Sequence, residues 1–228
     1  MASAASSVHG GRRGRGVLLH SLHSGAPGRP FRPPLLRSGA PGVRPSPLSA
    51  AIAILNFAGK VTDEIAKGVK QLQKLGVTKV LVNALHPMGC TPAQTRPLNY
   101  TGCDNLQGNM APNYHNTKLK EKLDPANSDS VFVVNLYEAF SSIVNPDDAH
   151  THPQVAKKFT EKLKPCCESV DPKGYCGQVD EDGGDQYSVC SNPDEHFYWD
   201  DVHPTQAGWE AAMEQLERDI KDFLDISH

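Results

Sequence analysis

The pattern of apolar and polar residues predicts a helix followed by a strand near the middle of the chain. The residues that share one helical face are Val61, Ile65, Val69 and Leu72. Thr62 to Glu64 supply a candidate cap and acids for the first turn, and Gly76 is placed to end the helix. The next run, KVLVNAL over Lys79 to Leu85, is short, β-branched and followed by Pro87, which is typical of a buried strand.

The same alternation continues toward the C-terminus. A weaker helical pattern covers Ala111 to Leu123, and VFVVNL over Val131 to Leu136 predicts a second buried strand that leads into Tyr137 to Val144. The last helix, with Thr205 as its cap, has one apolar face made of Trp209, Met213, Leu216, Ile220 and Phe223. Strands that alternate with helices predict an α/β domain with a parallel sheet. Two strands make a poor core, and Ala51 to Phe57 is the candidate for a third.

The first part of the chain has a different composition. It is rich in Gly, Pro, Ser and Arg, and it repeats SGAPG at Ser24 to Gly28 and at Ser38 to Gly42. Such a composition cannot bury enough apolar surface to offset the entropy of the chain. We therefore expect a disordered tail over residues 1–54 and one folded domain over residues 55–228.

Charge also divides the chain. Residues 1–62 carry a net charge of +8 and no acid, whereas the rest carries −11. An Arg-rich, acid-free start is typical of an organelle transit peptide, although the SGAPG repeat favours an unrelated exon or a misread gene start.

Phe31 is the one aromatic residue of the tail, so specific nucleic-acid recognition is not expected. Neither a secretory signal nor a transmembrane segment of about 20 apolar residues is predicted.

Six cysteines predict disulfides rather than a metal site. Cys90 and Cys103 bracket a polar loop, and four more crowd a second loop: Cys166, Cys167, Cys176 and Cys190. No CxxC pair of the kind used by zinc ribbons is present. We predict one bridge between Cys90 and Cys103. Adjacent cysteines rarely bond to each other, so Cys166 and Cys167 should each pair with one of the other two, which leaves two connectivities. Asn99-Tyr100-Thr101 is an N-glycosylation sequon.

The segment FYWDDVHPT, from Phe197 to Thr205, carries the most informative chemistry. Asp200 and His203 are three residues apart and are followed by Pro204 and a helix, so a tight turn could bring the carboxylate to one imidazole nitrogen. A catalytic histidine needs such a partner, because the acid fixes its tautomer and stabilises the imidazolium. The alternative is that both residues only cap the last helix.

From about Leu55 to Leu224, the order of motifs resembles that of the second half of plant GDSL-type (SGNH) ester hydrolases. The folded part is therefore expected to be the C-terminal part of such a domain, with a partial version of its fold. The segments that carry the resemblance are KVLVNAL, LHPMGCTP, VFVVNLYEAF, KPCCESVDPKGYCG and SVCSNPDEHFYWDDVHPTQAGW. The resemblance implies a three-layer α/β/α, flavodoxin-like fold, secretion, and hydrolysis of small esters or lipids without a metal or organic cofactor. Asp200 and His203 align with the catalytic Asp and His of the family. Asp201 holds a variable position and is expected to be a solvated or capping acid.

The chain departs from this family where the nucleophile should be. Family members carry a serine in a GDS motif, and a glycine block and a GxND block supply oxyanion donors, but this sequence contains no GDS and no GND. Ser24, Ser38, Ser46 and Ser49 lie in the predicted tail, without the strand-to-helix turn that positions a nucleophile. Two hypotheses follow: an ester hydrolase completed by a missing part, or a truncated non-catalytic relative that binds acyl ligands or nothing.

Other polar clusters are interpreted structurally. The loop with Asp147, Asp148, His150 and His152 is expected to be solvated rather than a metal site. Residues 180–185, DEDGGD, lack calcium-loop spacing and predict a turn. His86 is expected to be a structural histidine.

The position of the Asp200–His203 pair and the exposure of the sheet edge can also be predicted. Asp200 should lie within hydrogen-bonding distance of His203 at the carboxyl end of the strands, where open α/β sheets place their sites. With few strands, an unpaired sheet edge and uncovered helix faces should make the protein bind hydrophobic dyes and self-associate.

Overall fold

The structure, a computed structural model, describes residues 16–19, 46–123, 129–145 and 157–226. Within these ranges the helices are α1 (Pro47–Lys74), α2 (Pro92–Thr95), α3 (Met110–Leu123), α4 (Leu136–Val144) and α5 (Gln206–Leu224). The strands are β1 (Gly16–Leu19), β2 (Lys79–Asn83), β3 (Val131–Val134), β4 (Glu161–Pro165), β5 (Cys167–Ser169), β6 (Tyr187–Val189) and β7 (His196–Tyr198). The chain has the α/β fold that the sequence predicts.

The main sheet contains the two predicted strands. β1, β2 and β3 are parallel, and β2 lies in the centre. Val80 of β2 lies opposite Val17 on one side and Val131 on the other. β3 stops two residues earlier than predicted, because Asn135 caps α4 by accepting a hydrogen bond from the backbone N–H of Glu138.

Helices cover both faces of this sheet. Val80 and Val82 of β2 pack in a cluster with Val69 of α1 and Leu119 of α3. Leu81, which points to the opposite face, belongs to a second cluster that includes side chains of α4 and α5, among them Phe140, Ile143, Ala211 and Leu216. Because successive side chains of a strand alternate between faces, the result is a three-layer α/β/α arrangement.

Helix α1 is longer than the apolar spacing suggests. It begins at Pro47, where the side chain of Ser46 accepts a hydrogen bond from the N–H of Ser49, rather than near Thr62. Residues 51–57 are therefore helical, and their assignment as a candidate strand was wrong. Gly76, with a φ of 89°, follows the helix as predicted. No helix in the described ranges is long and apolar enough to cross a membrane.

Most of the predicted tail lies outside the described residues, but its two described parts are ordered. Residues 16–19 form β1, and residues 46–54 begin α1. In these two parts the structure has a strand and the first turns of a helix, where the sequence predicts a disordered tail. The physical reason is that β2 has two edges: the backbone groups left on the edge away from β3 pair with the short apolar segment GVLL.

The region from β4 to β7 forms two small sheets. β4 pairs with β7 in parallel, and β5 pairs with β6 in antiparallel orientation. β4, β5 and β6 are not among the strands predicted above, because the sequence between Asn145 and His196 has little apolar periodicity. These strands have three to five residues with polar side chains, so they lack the apolar pattern that reveals longer strands.

Candidate active site

Asp200 and His203 meet in a tight turn between β7 and α5, residues 200–203, called here the Asp–His turn. Nδ1 of His203 lies 2.9 Å from both carboxylate oxygens of Asp200. Oδ1 of Asp200 also accepts the backbone N–H groups of Val202 at 3.0 Å and His203 at 2.8 Å. One carboxylate therefore shapes the turn and holds the imidazole, as the spacing predicts.

The ends of the Asp–His turn are fixed by backbone contacts. The N–H of Trp199 donates to the carbonyl of His203 at 2.7 Å, and Tyr198 and Pro204 form an isolated bridge. Thr205 then caps α5, because its hydroxyl accepts the N–H of Gly208 at 2.9 Å. The predicted cap is confirmed, and it fixes where the helix begins after the imidazole.

Gly208 allows α5 to start against β7. A Cβ atom at this position would lie 2.3 Å from the carbonyl oxygen of Phe197, which is closer than real Cβ contacts. The same carbonyl accepts the N–H of Thr205 at 2.9 Å. Close approach of the helix to the strand therefore requires glycine here.

The two side chains of the pair differ in exposure. The side chain of Asp200 is 25% exposed and that of His203 is 70% exposed. Burial alone would raise the pKa of Asp200, but hydrogen bonds from the His203 ring and from the N–H groups of Val202 and His203 outweigh it and lower that pKa. The hydrogen bond to Asp200 raises the pKa of His203 against the opposing effect of partial burial. The pair therefore joins an anchored carboxylate to an accessible imidazole.

Asp201 does not have the role expected for it. It is neither fully solvated nor a helix cap: its carboxyl group is partly buried, and Oδ1 has no hydrogen-bond partner in the described part of the chain. Burial raises its pKa, and the positive charge of Arg96 opposes that rise. Its backbone carbonyl accepts the N–H of Ala93 at 3.0 Å. Asp201 thus connects the Asp–His turn to the segment that leaves the carboxyl end of β2.

The six cysteines form three disulfides. Cys90 is bonded to Cys103, Cys166 to Cys190 and Cys167 to Cys176. The sequence leaves two connectivities open for the second loop, and the structure has Cys166–Cys190 with Cys167–Cys176. The N–H groups of the two adjacent cysteines donate to the carbonyls of Tyr198 and Trp199, at 3.0 and 2.6 Å. The second loop, residues 166–190, is thereby attached directly before Asp200.

A polar cluster beside the turn is not predicted by the spacing of residues in the sequence. Arg96, in the first cysteine loop (residues 90–103), donates to the hydroxyl of Ser169 at 3.1 Å and to its carbonyl at 2.8 Å. Its Nε lies 3.6 Å from Oε1 of Glu168, which also accepts the hydroxyl of Tyr100 at 2.5 Å. The two sides of this contact are 73 residues apart, so neither helical nor strand spacing brings them together. Their charges and the polar character of both loops were the available hint.

An aromatic cluster joins α4 to the two elements that flank the turn, β7 and α5. The ring of Phe140 on α4 packs edge-on against Phe197 of β7 and against Trp209 of α5, at centroid distances of 5.2 and 5.4 Å. His86, three residues after β2, stacks on Phe140 at 5.2 Å. His86 therefore packs within the protein, in line with its structural interpretation.

Other residues singled out by the sequence stay apart from the turn or cannot be placed. Asp180 accepts the N–H groups of Asp182 and Gly184, so residues 180–185 form a turn. The loop with Asp147, Asp148, His150 and His152 lies outside the described residues. No group of three or more candidate metal ligands occurs among the residues that the structure describes.

No serine hydroxyl forms a hydrogen bond with His203 within the described ranges, where its ring nitrogen Nδ1 is bonded to Asp200. A nucleophilic serine would be expected on the other ring nitrogen, Nε2. The arrangement is therefore an imidazole with a carboxylate on Nδ1, and no serine joins it among the residues that the structure describes.

Comparison with known proteins gives matches over most of the chain. A family model described as GDSL-like lipase/acylhydrolase matches residues 54–216. The chain is similar to GDSL esterase/lipase At5g03610 of Arabidopsis thaliana, with 33% identity over 172 residues, 74% of this chain and 47% of that protein. It is also similar to GDSL esterase/lipase At3g09930 of the same plant, with 33% identity over 169 residues, 72% of this chain and 47% of that protein. The chain spans about half the length of these curated relatives.

Proposed function

The chain belongs to the GDSL-like lipase/acylhydrolase family, and on that premise we propose that it supplies the general base of a carboxylic-ester hydrolase. His203 is the base, and Asp200 is the residue that orients it. The observation that carries the proposal is the contact of His203 Nδ1 with both oxygens of Asp200 at 2.9 Å, with the imidazole largely exposed. The substrate class is a small ester or a lipid ester.

In the proposed reaction, Asp200 accepts the Nδ1–H of His203, so Nε2 carries the free lone pair. Nε2 takes the proton of a serine hydroxyl as that oxygen bonds to the ester carbonyl carbon. The carboxylate stabilises the imidazolium that forms. The imidazolium then protonates the departing alkoxide when the ester C–O bond breaks, and a water molecule activated in the same way releases the acid.

The serine of this reaction is assigned to a segment outside the 228 residues, because they contain no GDS motif. Members of a triad act as a unit, so a base without its nucleophile forfeits nearly the whole rate. We therefore expect the chain as written to hydrolyse short aryl esters no faster than its His203→Ala variant. The missing part would have to belong to a longer form of the chain or be supplied in trans.

A second candidate is a non-catalytic relative that binds acyl ligands or none. The observation in its favour is that, among the described residues, His203 has no hydrogen bond to a serine. In this case the Asp200–His203 contact would serve only to stabilise the turn before α5.

A fluorophosphonate probe and an aryl-ester assay separate these functions. The chain is tested alone and together with a separately expressed amino-terminal half of a GDSL esterase that carries the GDS serine. Labelling and turnover that require both pieces and disappear in His203→Ala support the proposed base. No gain with the added half, in a mixture shown to form a complex, favours the non-catalytic relative. Turnover by the chain alone that is abolished by His203→Ala would contradict the assignment of the serine to another segment.

We also propose that the protein matures in an oxidising compartment, outside the cytosol. Three disulfides in a chain of this size favour such an environment. Asn99 of the sequon is exposed, at a left-handed position with a φ of 55° directly after a short helical turn. We expect a glycan there on expression in a eukaryotic secretory pathway. Loss of the mass shift in Asn99→Gln checks this, and unmodified wild-type protein would contradict it.

A further inference from the structure

The Asp–His turn is held on its amino-terminal side by the second cysteine loop. The N–H of Cys167 donates to the carbonyl of Trp199, which directly precedes Asp200, at 2.6 Å. Cys167 begins β5, whose last residue, Ser169, is buried. The backbone entering the turn is therefore attached to the first residue of β5.

The middle of the turn is held by the first cysteine loop. The N–H of Ala93 in α2 donates to the carbonyl of Asp201 at 3.0 Å. α2 has four residues, and Arg96 follows it directly. Ala93, which holds the turn, and Arg96 are therefore one short helical turn apart.

Arg96 joins the two loops to each other. Its guanidinium donates to both the hydroxyl and the carbonyl of Ser169, and it lies beside Glu168. The side chains of Arg96 and Glu168 are 20% and 24% exposed, so water screens this contact only partly. The contacts form a closed ring. It runs from Trp199 to Cys167 and along β5 to Ser169. From there it crosses to Arg96, follows α2 to Ala93 and returns to Asp201.

We propose that Arg96 is a positioning residue for the general base: by closing this ring it holds the Asp–His turn in the conformation in which Asp200 reaches His203. A ring of contacts resists displacement of any one member, whereas an open chain of contacts lets the turn move away from one support. The planar guanidinium suits this role because it makes two directed hydrogen bonds at once, which a lysine ammonium reproduces only in part.

The inference rests on the proposed role of His203 as the base, but its test needs no turnover. Arg96→Gln removes the positive charge and the paired hydrogen bonds of the guanidinium, and Arg96→Lys keeps the charge. Arg218→Gln also removes one arginine, from the exposed face of α5, and is the matched control. For each variant, NMR measures the pKa of the His203 ring and the exchange rate of the Ala93 amide. Whether the protein hydrolyses esters affects neither readout, so this proposal and the proposed function fail separately.

In Arg96→Gln we expect Ala93 amide exchange to accelerate by about tenfold. The pKa of His203 should fall toward its value in Asp200→Asn, because the loosened turn weakens the hydrogen bond to Asp200. Arg96→Lys should give an intermediate result, and Arg218→Gln should match the wild type. A lower melting temperature in Arg96→Gln, with an unchanged His203 pKa and unchanged Ala93 exchange, would mean a merely structural arginine and overturn the proposal.

The unmodified protein provides a second test in case Arg96→Gln does not fold. If the ring opens as one unit, the amides of Ala93 and Cys167 have the same free energy of opening. Equal protection of the two amides supports the closed ring. Fast exchange at Ala93 together with strong protection at Cys167 would show that the two supports are independent, and the proposal would be wrong.

Discussion

The Asp–His turn and the first turns of α1, residues 47–57, are both surface segments, but the rest of the chain supports them very differently. The turn and the residue before it accept backbone hydrogen bonds from the two cysteine loops, and the elements that flank the turn pack on an aromatic cluster. The first turns of α1 leave large apolar side chains exposed, with Leu48 at 71% and Phe57 at 69%, together with Ile52 and Ile54. The comparison shows that contacts from several parts of the chain hold the Asp–His turn, whereas the described residues leave an apolar surface of α1 uncovered.

The part of α1 that is covered makes this contrast sharper. From Ala58 onward, α1 packs against α3, and the hydroxyl of Thr62 is buried and accepts a hydrogen bond from Lys122. Ile54 and Leu55 lie on the same side of the helix as Ala58, because they precede it by four and three residues, respectively. The apolar stripe therefore continues past the element that covers it, which is typical of a surface that binds another segment.

The largest expected effect concerns the support of the turn. Replacing Cys166 and Cys190 by alanine opens a bridge that spans 24 residues and should lower the free energy of unfolding by roughly 3.5 kcal/mol. Opening Cys167–Cys176, which spans 9 residues, should cost about 2.5 kcal/mol. Denaturant unfolding of the two double variants checks the order. Equal stability of both variants and the wild type would show that the bridges do not support this region.

A smaller effect is expected where α5 meets β7. Gly208→Ala places a Cβ atom against the carbonyl of Phe197 and should cost about 1–3 kcal/mol, because backbone must move. Gly68→Ala is the matched control in α1, where nothing lies within 4 Å of the new atom. It should stabilise the protein by about 0.5–1 kcal/mol, since alanine favours the helix. Thermal melts of both variants measure the difference, and equal effects would argue against close contact at Gly208.

The smallest effect on stability is expected at the uncovered face. Replacing Leu48, Ile52 and Phe57 by glutamine should change the free energy of unfolding by no more than about 0.5 kcal/mol, because these side chains bury little. Binding of a hydrophobic dye and self-association should fall clearly. Ala58→Gln, one residue from Phe57 but on the buried face, should instead destabilise the protein. Unchanged dye binding and self-association in the triple variant would mean that another surface binds the dye and mediates association.

The sequence predicts the local parts of this structure and misses the non-local ones. Asp200 and His203 are found from the sequence because a three-residue spacing is closed by one turn. β2 and β3 are found because they are apolar and buried. The contact of Arg96 with Ser169 joins residues 73 apart, so only the folded chain reveals it.

Two errors have a common physical cause. A short apolar run fits a strand as well as a buried helix, so the pattern of residues 51–57 does not decide between them. In the structure these residues belong to the helix that Ser46 caps and Pro47 begins. The reverse holds for β1, whose four residues become a strand through pairing with β2 rather than through their own pattern. In both cases neighbouring segments decide the structure, and local spacing does not carry that information.

Titration of the His203 ring tests the central claim, that Asp200 orients this histidine as a base. In the wild type, the hydrogen bond that His203 donates to Asp200 raises the pKa of His203 above its ordinary value of 6.5 and holds the pKa of Asp200 below its ordinary value of 3.8. The pair's contribution to stability is therefore fully present between about pH 3.8 and 6.5. It is lost as pH rises through the raised pKa of His203, and also as pH falls through the lowered pKa of Asp200.

The decisive measurement is an NMR titration of the His203 ring protons in wild type and in Asp200→Asn, with Asp201→Asn as the matched control. The proposed pairing predicts a wild-type pKa above 6.5, a clear fall in Asp200→Asn and a much smaller change in Asp201→Asn. The stability difference between wild type and Asp200→Asn should also shrink as pH rises above the wild-type pKa of His203. A pKa of His203 that is the same in wild type and Asp200→Asn, or that falls only in Asp201→Asn, would contradict the claim.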